Sequence, residues 1–424
     1  MKIQGRWLAL GLILATGLIG CDKDSGEKEA KTVKIYSWWT SAGETAALNA
    51  LMDVFKAANP DVLVENATVT GGAGTATTRL LDELKAGKIP DSYQRHVGEE
   101  LKDDMAYLQD MDALYTEKGW TDVMPAKVIE SVTFSGKKWA VPVNVHRSNV
   151  IWYNKDLVDS TKLDTWDHFI AHMGTLYGAG HGFALFGDWT AGHVFESILL
   201  GHLGDVKYLQ LFAGTLAWDS TEVKEALGKY KALLAFRTTP TPTVTDTDWS
   251  VYTLGQMTAA TNNKAALTIM GDWFWGDLKV KAGSEDAAVA QFGYAPSPGT
   301  TTQFLYLADS FNYPKNAPQP DLTKKWLDTV GSKAGQDAFN PIKGSIPART
   351  DADQTQYGAY GQSAIADFAA KTLVPSVAHG AIGVPAFRTA FFNVIKKFTT
   401  DKDVTVTATL LKTCFTTPTD ASCL

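Results

Sequence analysis

The chain has 424 residues, a formal net charge of −7, and hydrophobic residues at 45% of its positions. This length predicts a folded protein of two domains, because a single compact core stops growing well below this size. The acidic balance argues against nucleic acid as a partner and against a basic surface that binds membranes.

The first residues predict export. Lys2 and Arg6 form a short positive region, and the apolar stretch that follows is short for a membrane crossing. That stretch ends in a Leu-Ile-Gly-Cys box at Cys21, which resembles a lipoprotein cleavage site where the cysteine receives lipid. We expect a signal peptide over 1–20, which carries both basic residues and no acid, and a polar tether over 21–32. The formal charge of −7 then becomes −9. The alternatives are an ordinary secretory signal and a short anchor helix.

The first predicted element of the mature chain is a strand-loop-helix unit. Residues 33–36 alternate apolar and polar side chains like a half-buried strand, and an apolar helical stripe begins at Leu48. Trp38 and Trp39 lie between them, at the C-terminal end of the strand, where open α/β sheets bind ligands. Adjacent residues of a strand face opposite ways, so the alternative is one buried and one exposed indole.

The N-terminal third of the chain alternates strands and helices, which predicts a mostly parallel sheet. The pattern predicts a strand over 62–69, a glycine-rich turn over 71–74 and a helix over 75–86. The glycines lack the Lys-Ser/Thr of a phosphate loop and the spacing of a dinucleotide fingerprint. We therefore expect no cofactor at this turn or elsewhere.

Two long strand-like runs, 139–153 and 304–313, organise the rest of the chain. The first is long enough to leave one sheet and enter another. Between and after these runs, the periodicity predicts a strand over 265–270 and four helices. Those helices cover 166–176, 193–203, 221–235 and 323–330. This order predicts two lobes that exchange strands.

Motifs of catalysis and metal binding are sparse. The sequence contains no Gly-x-Ser-x-Gly elbow and no His-Glu-x-x-His motif. His168 and His172 lie on one predicted helical face, but no third metal ligand is apparent, and ordinary surface or core histidines are the alternative. We therefore expect no catalytic residue and no metal.

Two cysteines, Cys414 and Cys423, follow Cys21 in the sequence. In an oxidising compartment they predict a disulfide at the C-terminal end of the chain. A metal-binding pair and two free thiols are the alternatives.

Aromatic and polar residues at predicted loop positions remain to be explained. Sugar rings have apolar faces and rims of hydroxyl groups. Binding a sugar requires flat indoles against the faces and charged or amide groups around the rim, where charge-assisted hydrogen bonds are strong. The chain supplies both kinds of side chain, with 13 Trp residues among them.

An ordered set of stretches resembles the extracellular solute-binding lipoproteins of sugar ABC importers, and most closely their glucose- and mannose-binding members. The resemblance covers essentially the whole chain from residue 33 onward. Its stretches are Ser37-Trp38-Trp39, Ala67 to Gly74, Asn144 to Asn149 with Trp152-Tyr153, Met270 to Trp273, Ala295 to Thr300, Asp309-Ser310-Phe311, Asn340 to Ile346, Tyr360 to Ala364 and Val377 to Ala381.

The resemblance implies an α/β architecture, the two-lobed periplasmic-binding-protein type II fold with a hinge between the lobes. It assigns 33–144 and 304–341 to the N-terminal lobe, and 145–303 and 342–424 to the C-terminal lobe. It also implies ten sugar-binding residues, carried over position by position: Trp38, Trp39, Glu44, Gln94 and His96 on the first lobe, Asp309 and Lys343 near later crossings, and Trp249, Trp273 and His379 on or near the second lobe.

The function implied by the resemblance is that of the substrate-binding component of a sugar ABC importer. The ligand would be a monosaccharide, glucose first and mannose or galactose next, and the partners would be ABC permease subunits in the membrane. The expected protein is a monomer, periplasmic or on the cell surface, anchored to the membrane by lipid and without enzymatic activity. A receptor for a disaccharide or polyol is the first alternative, and an exported glycan-cleaving enzyme is the second.

Overall fold

The computed structural model describes residues 31–67, 72–187, 189–238, 249–258 and 264–423. The predicted signal peptide, Cys21 and nearly all of the tether lie outside these residues. None of the helices in the described ranges has both the length and the apolar character that a membrane crossing requires.

The N-terminal part is a strand-helix alternation, as the sequence predicts. Its elements are β1 (Lys31–Tyr36), α1 (Ala42–Ala58), β2 (Val62–Asn66), α2 (Gly72–Lys85) and β3 (Ser92–His96). Helix α2 begins inside the segment that its glycines predict as a turn, so that prediction is wrong. The first turn of a helix tolerates glycine because its N–H groups have no partners within the helix.

Short elements connect this part to the first long strand-like run. They are α3 (Glu99–Lys102), α4 (Asp112–Lys118), α5 (Trp120–Val123), α6 (Ala126–Ser131), β4 (Thr133–Phe134) and β5 (Lys137–Lys138). The run itself forms three strands, β6 (Ala140–Pro142), β7 (Asn144–Arg147) and β8 (Val150–Asn154).

The middle of the chain is mostly helical. Its elements are α7 (Trp166–Gly178), β9 (Gly182–Phe183), α8 (Trp189–Phe212), α9 (Thr221–Leu234), α10 (Trp249–Thr258), β10 (Ala265–Ile269), α11 (Trp273–Ala282), α12 (Glu285–Gln291) and β11 (Phe292–Pro296). Helix α8 is broken at Gly204, whose φ of 72° is not helical.

The second long run forms β12 (Gln303–Leu307) and β13 (Asp309–Asn312). The remaining elements are α13 (Pro320–Gly331), α14 (Lys333–Lys343), β14 (Ile346–Pro347), α15 (Ala359–Ala370), β15 (Thr372–Pro375), α16 (Pro385–Asp401) and α17 (Val404–Thr416).

Three larger sheets organise these strands. The first has the order β2-β1-β3-β13-β6, the second β11-β8-β10-β9, and the third β14-β7-β12-β15. In the first sheet β1, β2 and β3 are parallel, but β13 runs antiparallel to both β3 and β6. Strand β6 therefore runs in the same direction as β1, β2 and β3, so the expectation of a mostly parallel sheet is right for these four strands and wrong for β13 alone.

Both long runs pass from one sheet to another. A single residue, Val143, separates β6 of the first sheet from β7 of the third, and Ala308 separates β12 of the third from β13 of the first. The prediction that 139–153 leaves one sheet and enters another is confirmed. The predicted lobe boundaries at 144, 303 and 341 fall inside β7, β12 and α14, and the division into lobes stays a proposal.

Two hydrophobic cores lie on either side of these crossings. The first core surrounds the first sheet and α1, and it extends to Trp275 of α11 and Tyr360 of α15. The second core lies among α8, α9, α16 and α17. Cys414 and Cys423 form a disulfide at the edge of the second core, with their Cα atoms 5.6 Å apart.

Candidate functional site

The loop between β1 and α1 is fixed by a capping box. The Ser41 side chain accepts from the N–H of Glu44, and the Glu44 carboxylate accepts from the N–H groups of Thr40 and Ser41, both at 3.2 Å. These bonds satisfy donors that the start of a helix leaves unpaired. The other carboxylate oxygen of Glu44 lies 3.1 Å from Lys343 Nζ. Glu44 is thus a helix cap and half of a buried ion pair, in addition to its predicted role.

Trp38 and Trp39 occupy different surroundings, although both are buried. The Trp39 ring packs against Phe311 and Phe339 of the first core, with centroid distances of 5.8 and 4.9 Å. The Trp38 ring instead faces His96, with the centroids 5.0 Å apart. Of the two indoles, Trp38 is therefore the better placed to contact a ligand between the cores.

A buried carboxylate, Asp309 of β13, is surrounded by polar side chains from two other strands. Gln94 of β3 donates to its Oδ1 at 2.9 Å, and Asn144 of β7 donates to its Oδ2 at 3.0 Å. His146 Nε2 lies 3.2 Å from Oδ2, and His96 Nε2 lies 3.7 Å from Oδ1. Asn144 and Asp309 begin the strands that follow the two crossings, so the network lies where the chain passes between the first and third sheets.

The electrostatics favour the ionised form of Asp309. Burial opposes ionisation, but the hydrogen bond and charge of His146, with the charges of His96 and Lys343, hold the pKa of Asp309 well below its usual value. The carboxylate is therefore an anion at any physiological pH.

Asp309→Asn is expected to lower the free energy of unfolding by about 1.5–3 kcal/mol at neutral pH, because the amide nitrogen would face the donor of Gln94 or Asn144. Since folding depresses this pKa, its contribution is fully present above the unfolded value of about 4 and is lost as the pH falls below it. The difference in stability between wild type and variant should therefore shrink at low pH.

Urea unfolding of both proteins across the acid range measures this difference. Asp110→Asn, which removes an exposed partner of Lys137, is the matched control and should change little. A difference that stays constant down to about pH 3 would show that ionisation of Asp309 is not the source of its effect.

Tryptophans of the first core meet histidines that include His193 of α8 in one continuous group of rings, which we call the aromatic cluster. Neighbouring ring centroids in it are 4.9–6.2 Å apart. Its members are Trp38, His96, His146, Trp189, His193, Trp249, Trp273 and His379. The contact between His96 and His379, at 5.7 Å, connects the first-core side to the second-core side.

The predicted second-side residues have different places in this cluster. Trp273 is central, since its ring contacts those of His146, Trp189, His193 and His379. Trp249 is peripheral and contacts Trp189 and Phe274. The structure thus brings Trp38, His96, Trp249, Trp273 and His379 into one cluster. Gln94 and Asp309 lie in the polar network beside it, and Glu44 pairs with Lys343.

Four residues of the site were not predicted from the sequence as contacts. His146 and Asp272 are paired with each other, and both lie in stretches that carried the family resemblance. Trp189 and His193 lie in the first turns of α8, and only a helix beginning at His193 was predicted there. The motifs of the family resemblance therefore contained the information needed to predict His146 and Asp272. The sequence of α8 has no motif that indicates a role for Trp189 and His193 in the site.

The histidines of the cluster differ in charge. Burial lowers the pKa of His193 to about 3, and burial together with the charges of His193, His96 and Arg388 holds the pKa of His379 well below its usual value. Both rings are therefore neutral. For His146, burial acts against protonation, but the Asp272 carboxylate outweighs it and raises the pKa. The cluster is uncharged at His193 and His379 and favours a positive charge at His146.

The loop that carries His379 is held by a buried carboxylate on α8. Glu196 accepts hydrogen bonds from the Ser376 hydroxyl at 2.7 Å and from the N–H of Ala378 at 3.3 Å. Tyr208 also donates to Glu196, at 2.6 Å. Helix α8 therefore positions the His379 loop as well as contributing its own rings to the cluster.

A second contact joins the two cores near the cluster. The buried Glu100 carboxylate pairs with Arg388 of α16 and also lies 3.2 Å from Arg95 Nη1. The N–H of Glu100 donates to the carbonyl of Gly380 at 3.0 Å. A Cβ at Gly98, whose φ is 87°, would come within 2.5–2.9 Å of Ala381 backbone atoms, so glycine allows this close approach.

Other grooves and histidines of the described structure lie outside this site. Open grooves of about 420 and 620 Å³ lie along α2 and between α7 and α9, and their lining residues are separate from the aromatic cluster. His168 pairs with Asp164, and His172 accepts from the N–H of Asp159. Within the described ranges, no group of three or more His, Cys, Asp or Glu side chains is arranged to hold a metal ion.

Comparison with known proteins identifies the family of this chain. The family model for bacterial extracellular solute-binding proteins matches residues 38–337. The chain belongs to this family. It is a solute-binding protein and not an enzyme.

Two relatives and one solved structure illustrate the match. The chain is 32% identical over 419 residues to the uncharacterized ABC transporter extracellular-binding protein PH1214 of Pyrococcus horikoshii, covering 94% of this chain and 91% of that one. It is 31% identical over 414 residues to a probable sugar-binding periplasmic protein of Mesorhizobium japonicum, covering 93% and 94%. The bacterial solute receptor AcbH, described as preferring β-D-galactopyranose, superimposes with a TM-score of 0.75 at 16% identity, covering 91% and 98%. This last likeness is one of fold, the two-lobed α/β architecture.

Proposed function

We propose that this protein is the sugar-binding component of an ABC importer and that its ligand is a monosaccharide. Glucose is the first candidate, and mannose or galactose come next. The residues that we propose as sugar contacts are Trp38, Trp39, Glu44, Gln94, His96, Trp249, Trp273, Asp309, Lys343 and His379. The name of the Mesorhizobium japonicum relative, a probable sugar-binding periplasmic protein, supports this proposal.

The observation that carries this proposal is a buried aromatic cluster with charged groups at its edge. Indoles such as Trp38 and Trp273 match the apolar faces of a sugar ring. The carboxylate of Asp309 and the ammonium of Lys343, each nearly fully buried, match its hydroxyl rim. A sugar that lacked one hydroxyl would leave such a buried group unpaired, which is a strong basis for selecting one ligand.

The tight spacing of the cluster favours one sugar ring over two. His96 and His379 are 5.7 Å apart across the cores. A ring between two flat side chains needs about 7–8 Å, since optimal carbon–carbon contacts are 3.5–4.0 Å on each side. A small separation of the two sides would therefore admit one pyranose. A disaccharide or an extended polyol would require a larger one, and it remains the second candidate.

In this proposal the described structure is closed without sugar, and the two sides lie slightly further apart in the sugar-bound closed form. Sugar would bind when the lobes are apart and would shift the equilibrium towards closure by contacting both at once. The membrane permease would recognise the closed form. We further propose that lipid on Cys21 anchors the protein beside that permease, which mass spectrometry of the N-terminal residue of the native protein tests.

Isothermal titration calorimetry with glucose, mannose, galactose, maltose and sorbitol tests the choice of ligand. One monosaccharide should bind most tightly, and analysis of the recovered sugar should find no product. At a thousandfold excess over Kd, the same sugar should stabilise the protein by about 4 kcal/mol in thermal unfolding. Tighter binding of maltose or sorbitol would favour the second candidate, and binding of none of these ligands would contradict both candidates.

A further inference from the structure

A buried histidine of α8, His193, has one ring nitrogen that the fold does not use. The residue is fully buried, and its Nδ1 lies 3.2 Å from the Ser148 hydroxyl and 3.1 Å from His379 Nε2. Its Nε2 has no hydrogen-bond partner among the described residues. Since a buried polar atom without a partner costs about 1–3 kcal/mol, a protein rarely keeps one unless something binds to it.

The unused nitrogen can make one good hydrogen bond whichever form the ring takes. A neutral imidazole carries one N–H and one lone pair. If Ser148 or His379 donates to Nδ1, then Nε2 bears the proton and is a donor. If Nδ1 donates to His379, then Nε2 is an acceptor. A hydroxyl group can satisfy either form, because it both donates and accepts.

The surroundings of His193 are those of the proposed sugar site. Its ring centroid lies 5.3 Å from that of His379, 5.5 Å from Trp273 and 6.0 Å from Trp189. A ligand that stacks on Trp273 and bonds His379 would therefore bring hydroxyl groups within reach of His193.

We propose that His193 Nε2 binds a hydroxyl group of the sugar and contributes to the choice of ligand. This inference rests on the proposed function. His193 is not among the ten residues that the family resemblance assigns to the site. Ser148 and His379 act on this contact indirectly, since their bonds to Nδ1 orient the ring and decide whether Nε2 donates or accepts.

Two substitutions separate the ring nitrogens. The amide nitrogen of Asn lies close to where His carries Nδ1, whereas that of Gln lies close to where His carries Nε2. His193→Asn should therefore keep the bonds to Ser148 and His379 and lose the sugar contact, and His193→Gln should keep the sugar contact. His202→Asn is the matched control, because His202 lies on the same helix and pairs with Glu225 at the surface.

Calorimetry of these variants against the tightest-binding sugar and its deoxy analogues is the test. His193→Asn should weaken binding of the parent sugar by about tenfold or more, while His193→Gln and His202→Asn stay within about threefold. One deoxy sugar should bind wild type and His193→Asn almost equally, since it lacks the hydroxyl group in question.

Three results would overturn the inference. Unchanged affinity in His193→Asn would mean that Nε2 does not touch the sugar. An equal loss for every analogue would mean that His193 supports the site or holds a buried water. Failure of the wild-type protein to bind any sugar would contradict the proposed function itself, and this inference with it.

A measurement on the unsubstituted protein covers the case in which His193→Asn does not fold. In protein labelled with ¹⁵N-histidine, sugar binding should change the His193 Nε2 chemical shift more than that of Nδ1, with the signals assigned by their loss in His193→Gln. An Nε2 shift that does not respond to sugar would overturn the inference equally.

Discussion

Glu100→Gln is expected to open the protein in the absence of sugar and to weaken sugar binding by two orders of magnitude or more. Arg388 is buried and has Glu100 as its ion-pair partner in the described structure. Removing the carboxylate leaves the Arg388 charge buried without compensation, a change that costs about 3–5 kcal/mol. Because each 1.4 kcal/mol is a factor of ten, the affinity should fall by more than about 100-fold.

Glu100 and Arg388 lie on different sides of the site, so the unpaired Arg388 charge destabilises the closed form more than the open form. Glu100 lies on α3 next to Leu101 of the first core, and Arg388 lies on α16 next to Phe387 of the second. In the variant, separation of the lobes would return the Arg388 guanidinium to water and relieve the cost. Small-angle X-ray scattering without sugar should therefore give a larger radius of gyration for Glu100→Gln than for wild type. The affinity falls for the same reason, since binding must restore the closed form.

A second substitution should reverse this effect. In Glu100→Gln combined with Arg388→Met, no arginine is left unpaired, because Arg95 keeps Asp104 at 2.7 Å. His96, whose Nδ1 lies 3.0 Å from the Glu100 carboxylate, can still donate to the amide oxygen of the variant. The double variant should therefore close and bind more nearly like wild type. Glu99→Gln is the matched control, since Glu99 lies next in the same short helix and pairs with Lys102 near the surface. Unchanged scattering and affinity in Glu100→Gln would show that this contact does not control closure.

Hydrophobic periodicity predicted many of the strands and helices correctly, because secondary structure depends largely on residues close together in sequence. The alternation of 33–36 and the stripe beginning at Leu48 correspond to β1 and α1. The run 139–153 crosses between sheets as predicted, because it is longer than a single strand usually is. The placing of Trp38 and Trp39 at a strand end followed from the same local signals.

The contacts of the site join residues that are far apart in sequence, so the spacing of residues along the chain could not predict them. Glu44 and Lys343 are separated by 299 positions. Asp309 was predicted to accept from sugar, and the structure gives its carboxylate protein donors from β3 and β7. Trp189 and His193 lie in the first turns of α8, whose sequence has the apolar composition of an ordinary buried helix. Only the packing of α8 against the His379 loop brings them into the site.

Trp273→Ala is expected to cost about 3–5 kcal/mol of stability and at least about 2 kcal/mol of sugar affinity, roughly a 30-fold loss. The Trp273 ring contacts four other rings of the aromatic cluster. Its position is also fixed from below, since a Cβ at Gly271 would lie 2.1–2.6 Å from ring atoms of Trp273. Trp273→Phe keeps a flat ring and should lose less affinity than the alanine variant, because stacking needs an apolar face more than a particular size.

Trp275 is the control that separates stacking from general damage. It lies two residues along the same helix, is equally buried, and stacks on Trp152 with the centroids 5.3 Å apart, outside the aromatic cluster. Trp275→Ala should therefore destabilise the protein about as much as Trp273→Ala and leave the affinity nearly unchanged. Calorimetry gives the affinities and urea unfolding gives the stabilities. If both variants lost affinity in proportion to their loss of stability, Trp273 would be a core residue, and the sugar would stack elsewhere in the cluster.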